Sequence, residues 1–238
     1  MPHPDEPAPL DAPRDAPRDA EDLWEARYAS SRRIWSGRPN DALVLVVEGP
    51  ALAGTAPGTA LDLGCGEGAD AVWLASRGWR VTGVDVSGTA LARAREHAAD
   101  AGVGDRTTFA RHDLGADFPA GTFDLVAASF LHSTAFLDRV AVLRSAAAAV
   151  AAGGSLLVVG HADLPPWADL PAGTDPGLPS PAQVLADLAL APGTFEVLRS
   201  DLLPRTATRP PGAGPDPAGD AAQPVVLHDG VLHLRRVA

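Results

Sequence analysis

Three glycines at alternating positions form the stretch of this chain best suited to bind a ligand. Gly64, Gly66 and Gly68 follow the short apolar run at 60–63, and a helical pattern of apolar residues begins directly after them. Glycine permits unusual backbone dihedrals and a close approach that no Cβ atom blocks. The free N–H groups at a helix N-terminus favour an anionic or polar ligand group. The pattern therefore predicts a buried strand, a ligand-contacting turn and a helix that points at the ligand.

An acidic residue ends the next apolar run. Asp85 closes the segment 80–85, which has the composition of a second buried strand. A carboxylate at the carboxyl end of that strand is where a doubly wound sheet holds the hydroxyl groups of a ribose. Gly64, Gly66 and Ala69 also satisfy the dinucleotide pattern G-x-G-x-x-G/A. These residues indicate a nucleoside-containing cofactor and leave its identity open.

The segment 61–68, Leu-Asp-Leu-Gly-Cys-Gly-Glu-Gly, resembles the first motif of the class I S-adenosylmethionine-dependent methyltransferases. That family has an acidic residue, here Asp62, two positions before the first glycine of a G-x-G-x-G run. Phe-Asp-Leu-Val at 123–126 matches a further motif of the family. The pattern around Trp24 and Trp35 is similar to the N-terminal segment of the thiopurine and tellurite-resistance methyltransferases. The resemblance implies S-adenosylmethionine as the cofactor and a small molecule as the substrate.

The apolar runs and the resemblance together predict an α/β fold with a Rossmann-like doubly wound sheet of seven strands, the last of them antiparallel. The predicted strands are 59–63, 80–85, 106–112, 122–132, 155–160, 195–203 and 231–237. The predicted helices are 21–33, 40–47, 68–77, 87–101, 136–151 and 182–190. We expect a disordered Pro-rich leader at 1–20 and one methyltransferase domain at 21–238. Within it, 21–50 forms a helical lid and 204–224 a mobile loop.

The resemblance also implies cofactor contacts at particular residues. An acidic residue after the third strand, here Asp113, accepts a hydrogen bond from the adenine amino group, although capping a turn is an alternative role. Trp35 and Arg38 of the lid approach the methionine end, although the lid aromatics could simply pack a helix onto the domain. The expected cofactor-binding residues are Asp62, Gly64, Cys65, Gly66, Gly68, Asp85, Val86, Asp113, Leu114, Ser129, Trp35 and Arg38.

Two histidines follow predicted strands at the edge where ligands bind in open α/β sheets. Methyl transfer from a sulfonium needs a base only when the nucleophile carries a proton, and histidine titrates near neutrality. His132 and His161 are therefore candidate catalytic bases. The expected substrate contacts are Tyr28, His132, His161 and Trp167.

Two other kinds of chemistry are disfavoured. Cys65 lies inside the cofactor turn, where the family often has a cysteine without a chemical role. No metal site is expected, because His161-x-Asp163 is too short a pair, and magnesium-dependent relatives carry an acid where this chain has Ser129.

Composition limits the partners. The chain has 238 residues, a net charge of −11 and a single cysteine. An acidic chain without a basic cluster is a poor nucleic-acid or anionic-membrane binder, and no apolar run is long enough to span a bilayer. We therefore expect a cytoplasmic enzyme with a small-molecule substrate, whereas the oligomeric state cannot be predicted. Two alternatives stay open: a nicotinamide-dependent oxidoreductase, and a module that binds S-adenosylmethionine without transferring its methyl group.

Overall fold

A computed structural model describes residues 20–52, 55–131, 137–168, 177–208 and 224–237. Within these residues seven strands form one sheet, in the order β3-β2-β1-β4-β5-β7-β6. The strands are β1 (Thr59–Leu63), β2 (Arg80–Asp85), β3 (Thr107–Arg111), β4 (Phe123–Ser129), β5 (Val150–His161), β6 (Phe195–Ala207) and β7 (Val225–Arg236). The helices are α1 (Ala20–Ala29), α2 (Asp41–Glu48), α3 (Ala69–Ser76), α4 (Gly88–Asp100), α5 (Arg139–Ala148) and α6 (Pro181–Leu188), with a 3₁₀ turn at Gly104–Arg106.

Only β7 among these strands runs against its neighbours. The pairs β1–β2, β2–β3, β1–β4 and β4–β5 are parallel, and β7 is antiparallel to both β5 and β6. The strand order reverses between β1 and β4, so a crevice opens there at the carboxyl edge of the sheet. The predicted Rossmann-like fold with one antiparallel strand is confirmed.

Each face of the sheet has its own hydrophobic cluster. Leu43, Leu74 and Leu91 pack with one set of strand side chains on the face that carries α2, α3 and α4. Leu143 and Leu188 pack with the alternate set on the face that carries α5 and α6. Since the central strands are buried on both faces, their sequences are continuously apolar rather than alternating. This packing holds the carboxyl ends of β1, β2, β4 and β5 at one edge.

Polar side chains cap the N-termini of α2 and α4. The side chain of Asn40 accepts hydrogen bonds from the backbone N–H groups of Ala42 and Leu43 and so caps α2. Ser87 accepts from the N–H of Ala90 and caps α4. Each cap fixes the start of a helix on the ligand side of the domain.

The boundary between α5 and β5 differs from the sequence expectation. The helix ends at Ala148 and the strand begins at Val150, so Gly153 and Gly154 lie inside β5. The β4–β5 register shifts between the pairs Phe123–Val150 and Leu125–Ser155, which marks a bulge. Gly153 has a φ of 76° there. The Gly-Gly pair therefore serves the bulge instead of ending the helix.

The last two strands are longer than expected. β6 continues to Ala207, so the start of the expected loop at 204–224 belongs to this strand, and β7 already begins at Val225. Pro204 is accommodated because β6 is an edge strand, where one side of the backbone needs no ladder hydrogen bond. The remainder at 209–223 and the leader up to residue 19 lie outside the described residues.

Candidate active site

The glycine turn between β1 and α3 needs glycine at each alternating position. Gly64, Gly66 and Gly68 have φ values of 68°, 53° and 82°, in the left-handed region that other residues rarely adopt. A Cβ atom on Gly66 would lie 2.8 Å from the Tyr28 hydroxyl oxygen and 3.2 Å from Nε1 of Trp35. The turn is therefore both conformationally special and closely covered by the N-terminal segment.

Asp85 lies at the carboxyl end of β2 and is bonded to this turn. Its Oδ2 accepts a hydrogen bond from the N–H of Gly66 at 2.9 Å, and its Oδ1 accepts one from the N–H of Ser87 at 3.0 Å. Burial raises the pKa of Asp85, and these backbone hydrogen bonds partly offset the rise. Each oxygen keeps a lone pair, so the carboxylate can also accept from the hydroxyl groups of a ribose. Val86 follows it and is half-buried.

Three carboxylates give this part of the site an excess of negative charge. Asp62 is buried, and its Oδ2 has no hydrogen-bond partner among the described residues. Burial and the nearby carboxylates of Asp70 and Asp85 raise the pKa of Asp62 well above its ordinary value. The buried Ser129 hydroxyl likewise makes no hydrogen bond of ordinary geometry within the described part of the chain, although it helps to stabilise the charged form of Asp70. A cationic, hydrogen-bonding ligand group would satisfy these atoms.

The segment after α1 lies directly on the glycine turn. Tyr28 is buried, and its hydroxyl oxygen accepts a hydrogen bond from Nε1 of Trp35 at 2.9 Å. Trp35 is 43% exposed, and the Arg27 guanidinium lies 5.6 Å from its ring centroid. Arg38 is exposed, and its backbone N–H donates to the Ser36 hydroxyl. Tyr28, predicted to face the substrate, is thus placed against Gly66 in the glycine turn.

A buried ion pair fastens this segment to the turn. The Glu67 carboxylate, only 4% exposed, accepts hydrogen bonds from the N–H groups of Ile34 and Trp35 and pairs with Arg93 at 2.8 Å. Arg93 also donates to the carbonyl oxygens of Tyr28 and Ser31, at 2.8 and 2.7 Å. Sequence reasoning missed both charged residues. The one local signal was an acid placed between two glycines of a turn that is otherwise apolar.

The residues after β3 form a polar loop. Asp113 is exposed, and its Oδ1 accepts from the N–H of Gly115 at 3.0 Å, so it caps a turn as the alternative interpretation proposed. Leu114 packs against the cluster on the α5 face. A contact of either residue with adenine stays a prediction.

The candidate base His161 lies at the carboxyl end of β5, beside the residue that follows β4. The His161 ring stacks on Phe130 with a centroid distance of 4.3 Å and an interplanar angle of 25°. Phe130 has a φ of 52°, which is unusual for a residue with a side chain and turns the chain sharply at the end of β4. His132, the other candidate base, lies outside the described residues. Trp167 is half-buried in the loop after β5.

Two kinds of chemistry find no geometric support. Burial, followed by the charges of Asp62 and Asp85, raises the pKa of the Cys65 thiol, which opposes formation of a nucleophilic thiolate. Among the described residues no three His, Cys, Asp or Glu side chains are placed to hold a metal ion.

No helix in the described part of the chain combines the length and apolar character needed to cross a membrane.

Similarity to known proteins identifies the family. Residues 60–154 match the family described as "Methyltransferase domain". A 2-heptyl-1-hydroxyquinolin-4(1H)-one methyltransferase of Mycobacteroides abscessus is 32% identical over 165 residues, which cover 63% of this chain and 70% of that protein. The chain belongs to the class I S-adenosylmethionine-dependent methyltransferases. The family and this relative establish methyl transfer as the reaction, and they lend no support to either alternative function.

Solved structures agree with this assignment. A protein whose structure is described as "Conversion of a Disulfide Bond into a Thioacetal Group during Echinomycin Biosynthesis" is 25% identical, with a TM-score of 0.67 over 91% of this chain and 93% of that one. TehB from Haemophilus influenzae is 17% identical, with a TM-score of 0.58 over 91% of this chain and 67% of that one, and it shares the fold.

The residues of the turn fit the family's cofactor. S-adenosylmethionine carries a ribose, a positively charged sulfonium and an ammonium group. The unpartnered Oδ2 of Asp62, beside two further carboxylates, suits such a cation, and Asp85 retains acceptor capacity for hydroxyl groups. The positive φ values of the glycines permit the close backbone approach that a ligand at this edge requires.

Proposed function

We propose that this methyltransferase acts on a small molecule whose nucleophile is an O–H, S–H or N–H group, and that His161 accepts its proton. The stacked and partly exposed imidazole of His161 at the carboxyl end of β5 carries this proposal. Its side chain is 33% exposed, so one edge of the ring can reach a bound acceptor. Histidine is the side chain whose ordinary titration range suits a general base near neutral pH.

The cofactor contributes the electrophile and the protein contributes alignment. When bound, S-adenosylmethionine supplies a methyl group on a sulfonium, and the leaving group is the neutral thioether of S-adenosylhomocysteine. The acceptor atom forms the new bond to carbon while the electrons of the carbon–sulfur bond remain on sulfur. Holding the reactants in line can account for as much as ~7–11 kcal/mol of the barrier. His161 takes the proton that the acceptor atom loses.

The residues around the glycine turn are proposed to hold the cofactor. In this proposal Asp85 binds the ribose, Asp113 the adenine, and Trp35 and Arg38 the methionine end. The full proposed set is Asp62, Gly64, Cys65, Gly66, Gly68, Asp85, Val86, Asp113, Leu114, Ser129, Trp35 and Arg38. Tyr28, His132 and Trp167 join His161 as proposed substrate contacts.

The relatives suggest two kinds of acceptor. The Mycobacteroides abscessus enzyme is named for a hydroxyl-bearing quinolone, and the solved structure mentioned above concerns the conversion of a disulfide. Both oxygen and sulfur acceptors are therefore reasonable probes for this chain. The net charge of −11 supports a substrate other than a nucleic acid, and a cytoplasmic location is part of the same proposal.

Product formation tests the proposal directly. Purified protein is incubated with S-adenosylmethionine and either 2-heptyl-1-hydroxyquinolin-4(1H)-one or an aromatic thiol, and both the methylated acceptor and S-adenosylhomocysteine are followed by mass spectrometry. We expect turnover of at least one probe, and we expect His161→Gln to reduce kcat at least about tenfold while S-adenosylhomocysteine binding stays intact. Full activity of His161→Gln would contradict the role of this histidine.

A further inference from the structure

Three side chains from three strands meet at the carboxyl edge of the sheet. His161 of β5 pairs in register with Asp229 of β7, and the distance from its Nδ1 to Oδ1 of Asp229 is 3.4 Å. Arg205 of β6 lies diagonally across from Asp229, and its Nε donates to the same oxygen at 2.9 Å. The cluster thus contains one imidazole, one carboxylate and one guanidinium.

Asp229 is held as a buried carboxylate. Its side chain is 8% exposed, and a carboxylate so far from water remains charged only when a cation or several donors lie against it. Arg205 supplies that cation with a short hydrogen bond, and its own side chain is 28% exposed. An ionised acceptor therefore faces Nδ1 of His161.

The contacts of Nδ1 determine which ring nitrogen is available as a base. The Nη2 atom of Arg205 lies 3.5 Å from Nδ1 of His161, but a guanidinium has no acceptor. The guanidinium can donate only to an unprotonated Nδ1, whereas a proton on Nδ1 has the Asp229 carboxylate as its partner and places the lone pair on Nε2. The stacking contact with Phe130 fixes the plane of the ring. The lone pair on Nε2 of His161 then points in a fixed direction.

We propose that Asp229 is a positioning residue that orients His161 and stabilises its protonated form, and that Arg205 keeps Asp229 ionised and limits that stabilisation. This inference rests on the proposed function, in which His161 accepts the proton of the methyl acceptor. With the cofactor bound, the acceptor's proton would move to Nε2 of His161, and the electron pair left on the acceptor atom would form the bond to the methyl carbon as the carbon–sulfur bond breaks onto sulfur. The resulting imidazolium would lie between Asp229 and Phe130. The imidazolium later releases its proton to solvent.

Other charged groups lie near this cluster. Within the described residues these are Asp163 and His228. The carboxylate of Asp163 accepts from the N–H of His228 at 2.7 Å and pairs with Nδ1 of the same residue at 2.9 Å. Slight burial raises the pKa of Asp163, but the hydrogen bonds from His228 and the charge of Arg205 lower it more. Asp163 and His228 therefore pair with each other, and Asp229 is the carboxylate that pairs with His161.

Two substitutions with opposite electrostatic effects test the proposal. Asp229→Asn removes a negative charge beside the imidazole, so the pH midpoint of His161 should fall. Arg205→Gln removes a positive charge, so the midpoint should rise. A charge at this distance shifts a titration by about one pH unit or more. Asp201→Asn is the matched control, because Asp201 lies on β6, pairs with Arg199 and is 54% exposed.

The readout is the titration of His161 by ¹H–¹⁵N NMR on protein with ¹⁵N-labelled histidine, with its signal assigned by its loss in His161→Gln. We expect the Nδ1–H tautomer in the wild type, opposite shifts in the two variants and no shift in Asp201→Asn. An Nε2–H tautomer, or equal midpoints in wild type, Asp229→Asn and Arg205→Gln, would overturn the positioning role. The methylation assay separates the two proposals. An active His161→Gln refutes the base, whereas an inactive His161→Gln with an unshifted Asp229→Asn refutes only the positioning residue.

Discussion

Asp62 is a buried carboxyl group whose energy depends on whether a cation is bound beside it. Its Oδ2 is buried without a partner among the described residues, and two other carboxylates lie near it. A carboxyl group with a raised folded-state pKa opposes folding at any pH above its unfolded-state pKa, because the folded protein must then bury a charge or take up a proton that the unfolded chain has lost. Ligand affinity and unliganded stability should therefore respond to this side chain in opposite directions.

Asp62→Asn is expected to stabilise the unliganded protein at pH 7.5 and to weaken cofactor binding. Removing the buried charge should raise the Tm, and a gain of about 1 kcal/mol corresponds to about 2–4 °C for a chain of this size. Differential scanning calorimetry with and without S-adenosylmethionine measures both effects. The matched variant Asp124→Asn should lower the Tm, since Oδ2 of Asp124 accepts from the N–H and hydroxyl of Thr59 at 2.7 and 2.9 Å. A lower Tm for Asp62→Asn would contradict this account.

Because His233 is buried, we predict that the free energy of unfolding falls in acid. Burial, followed by the charges of Arg235 and Arg199, lowers the pKa of His233 to about 4, and its Nε2 lies 3.0 Å from the Ser155 hydroxyl. The unfolded chain binds this proton near pH 6.5 and the folded chain only near pH 4, so stability falls as the pH drops through that window. The loss amounts to about 3 kcal/mol. Urea denaturation from pH 7 to pH 4 should show a shallower fall for His233→Gln than for wild type. Equal slopes would refute the assignment.

The site residues that the sequence predicts belong to a short local motif. The residues that it misses have partners far away along the chain. Gly64, Gly66 and Asp85 are recognisable because a local motif carries them. Glu67 and Arg93 are partners across 26 residues, and no local pattern pairs one charge with the other. The contact between His161 and Asp229 spans 68 residues and depends on the register of β5 with β7. Such pairs follow from topology and become visible only in the folded chain.

At the scale of elements, the N-terminal segment is attached at three points to the glycine turn and to the helices beside it. Glu25 of α1 accepts from the N–H of Thr89 at the start of α4 at 3.1 Å. The ion pair of Glu67 with Arg93 binds the backbone at 28–35, and the N–H of Asn40 donates to Oδ1 of Asp70 at 2.6 Å. The N-terminal segment is thus held to α4, to the glycine turn and to α3 by polar contacts.

Arg93→Gln should loosen this segment. The substitution leaves the Glu67 carboxylate buried without its cation, which is costly, and it frees the carbonyl oxygens of Tyr28 and Ser31. We expect faster hydrogen exchange at 28–40 and roughly tenfold weaker S-adenosylhomocysteine binding, about 1.4 kcal/mol. Arg77→Gln is the control, because the pair of Arg77 with Glu48 is exposed and contributes little. Unchanged exchange in Arg93→Gln would show that the ion pair does not fasten the lid.

The elements themselves were largely predictable, and the strands that are longer than expected share one cause. The bounds of β1 and β2 follow from apolar runs between glycines, and α2 and α4 follow from their caps. The strands β5, β6 and β7 extend further than their apolar cores because neighbouring strands continue the hydrogen-bond ladder past Gly154 and Pro204. Glycine and proline indicate local breaks, but an edge position or a bulge lets a strand continue through them.

At the scale of the whole molecule, the sheet brings the glycine turn, the carboxylates and the candidate base to one edge. The strand order reverses between the neighbours β1 and β4, and the chain places Asp62, Ser129 and His161 on three neighbouring strands there. A cationic cofactor beside Asp62 and an acceptor near His161 would lie next to each other along this edge. The arrangement fits a reaction whose main requirement is the alignment of two bound molecules.

Calorimetric titration with S-adenosylhomocysteine, compared between wild type and Asp85→Asn, tests this account most directly. We expect saturable one-site binding to wild type, and at ~100 times the Kd a stabilisation of about 2.7 kcal/mol in a parallel melting experiment. Asp85→Asn should lose most of that affinity, because its carboxylate orders the turn through Gly66 and is the group proposed to bind the ribose. NADH serves as the comparison ligand and should not bind. Binding of NADH in place of S-adenosylhomocysteine, or full affinity in Asp85→Asn, would contradict the central claim that this turn is the cofactor site.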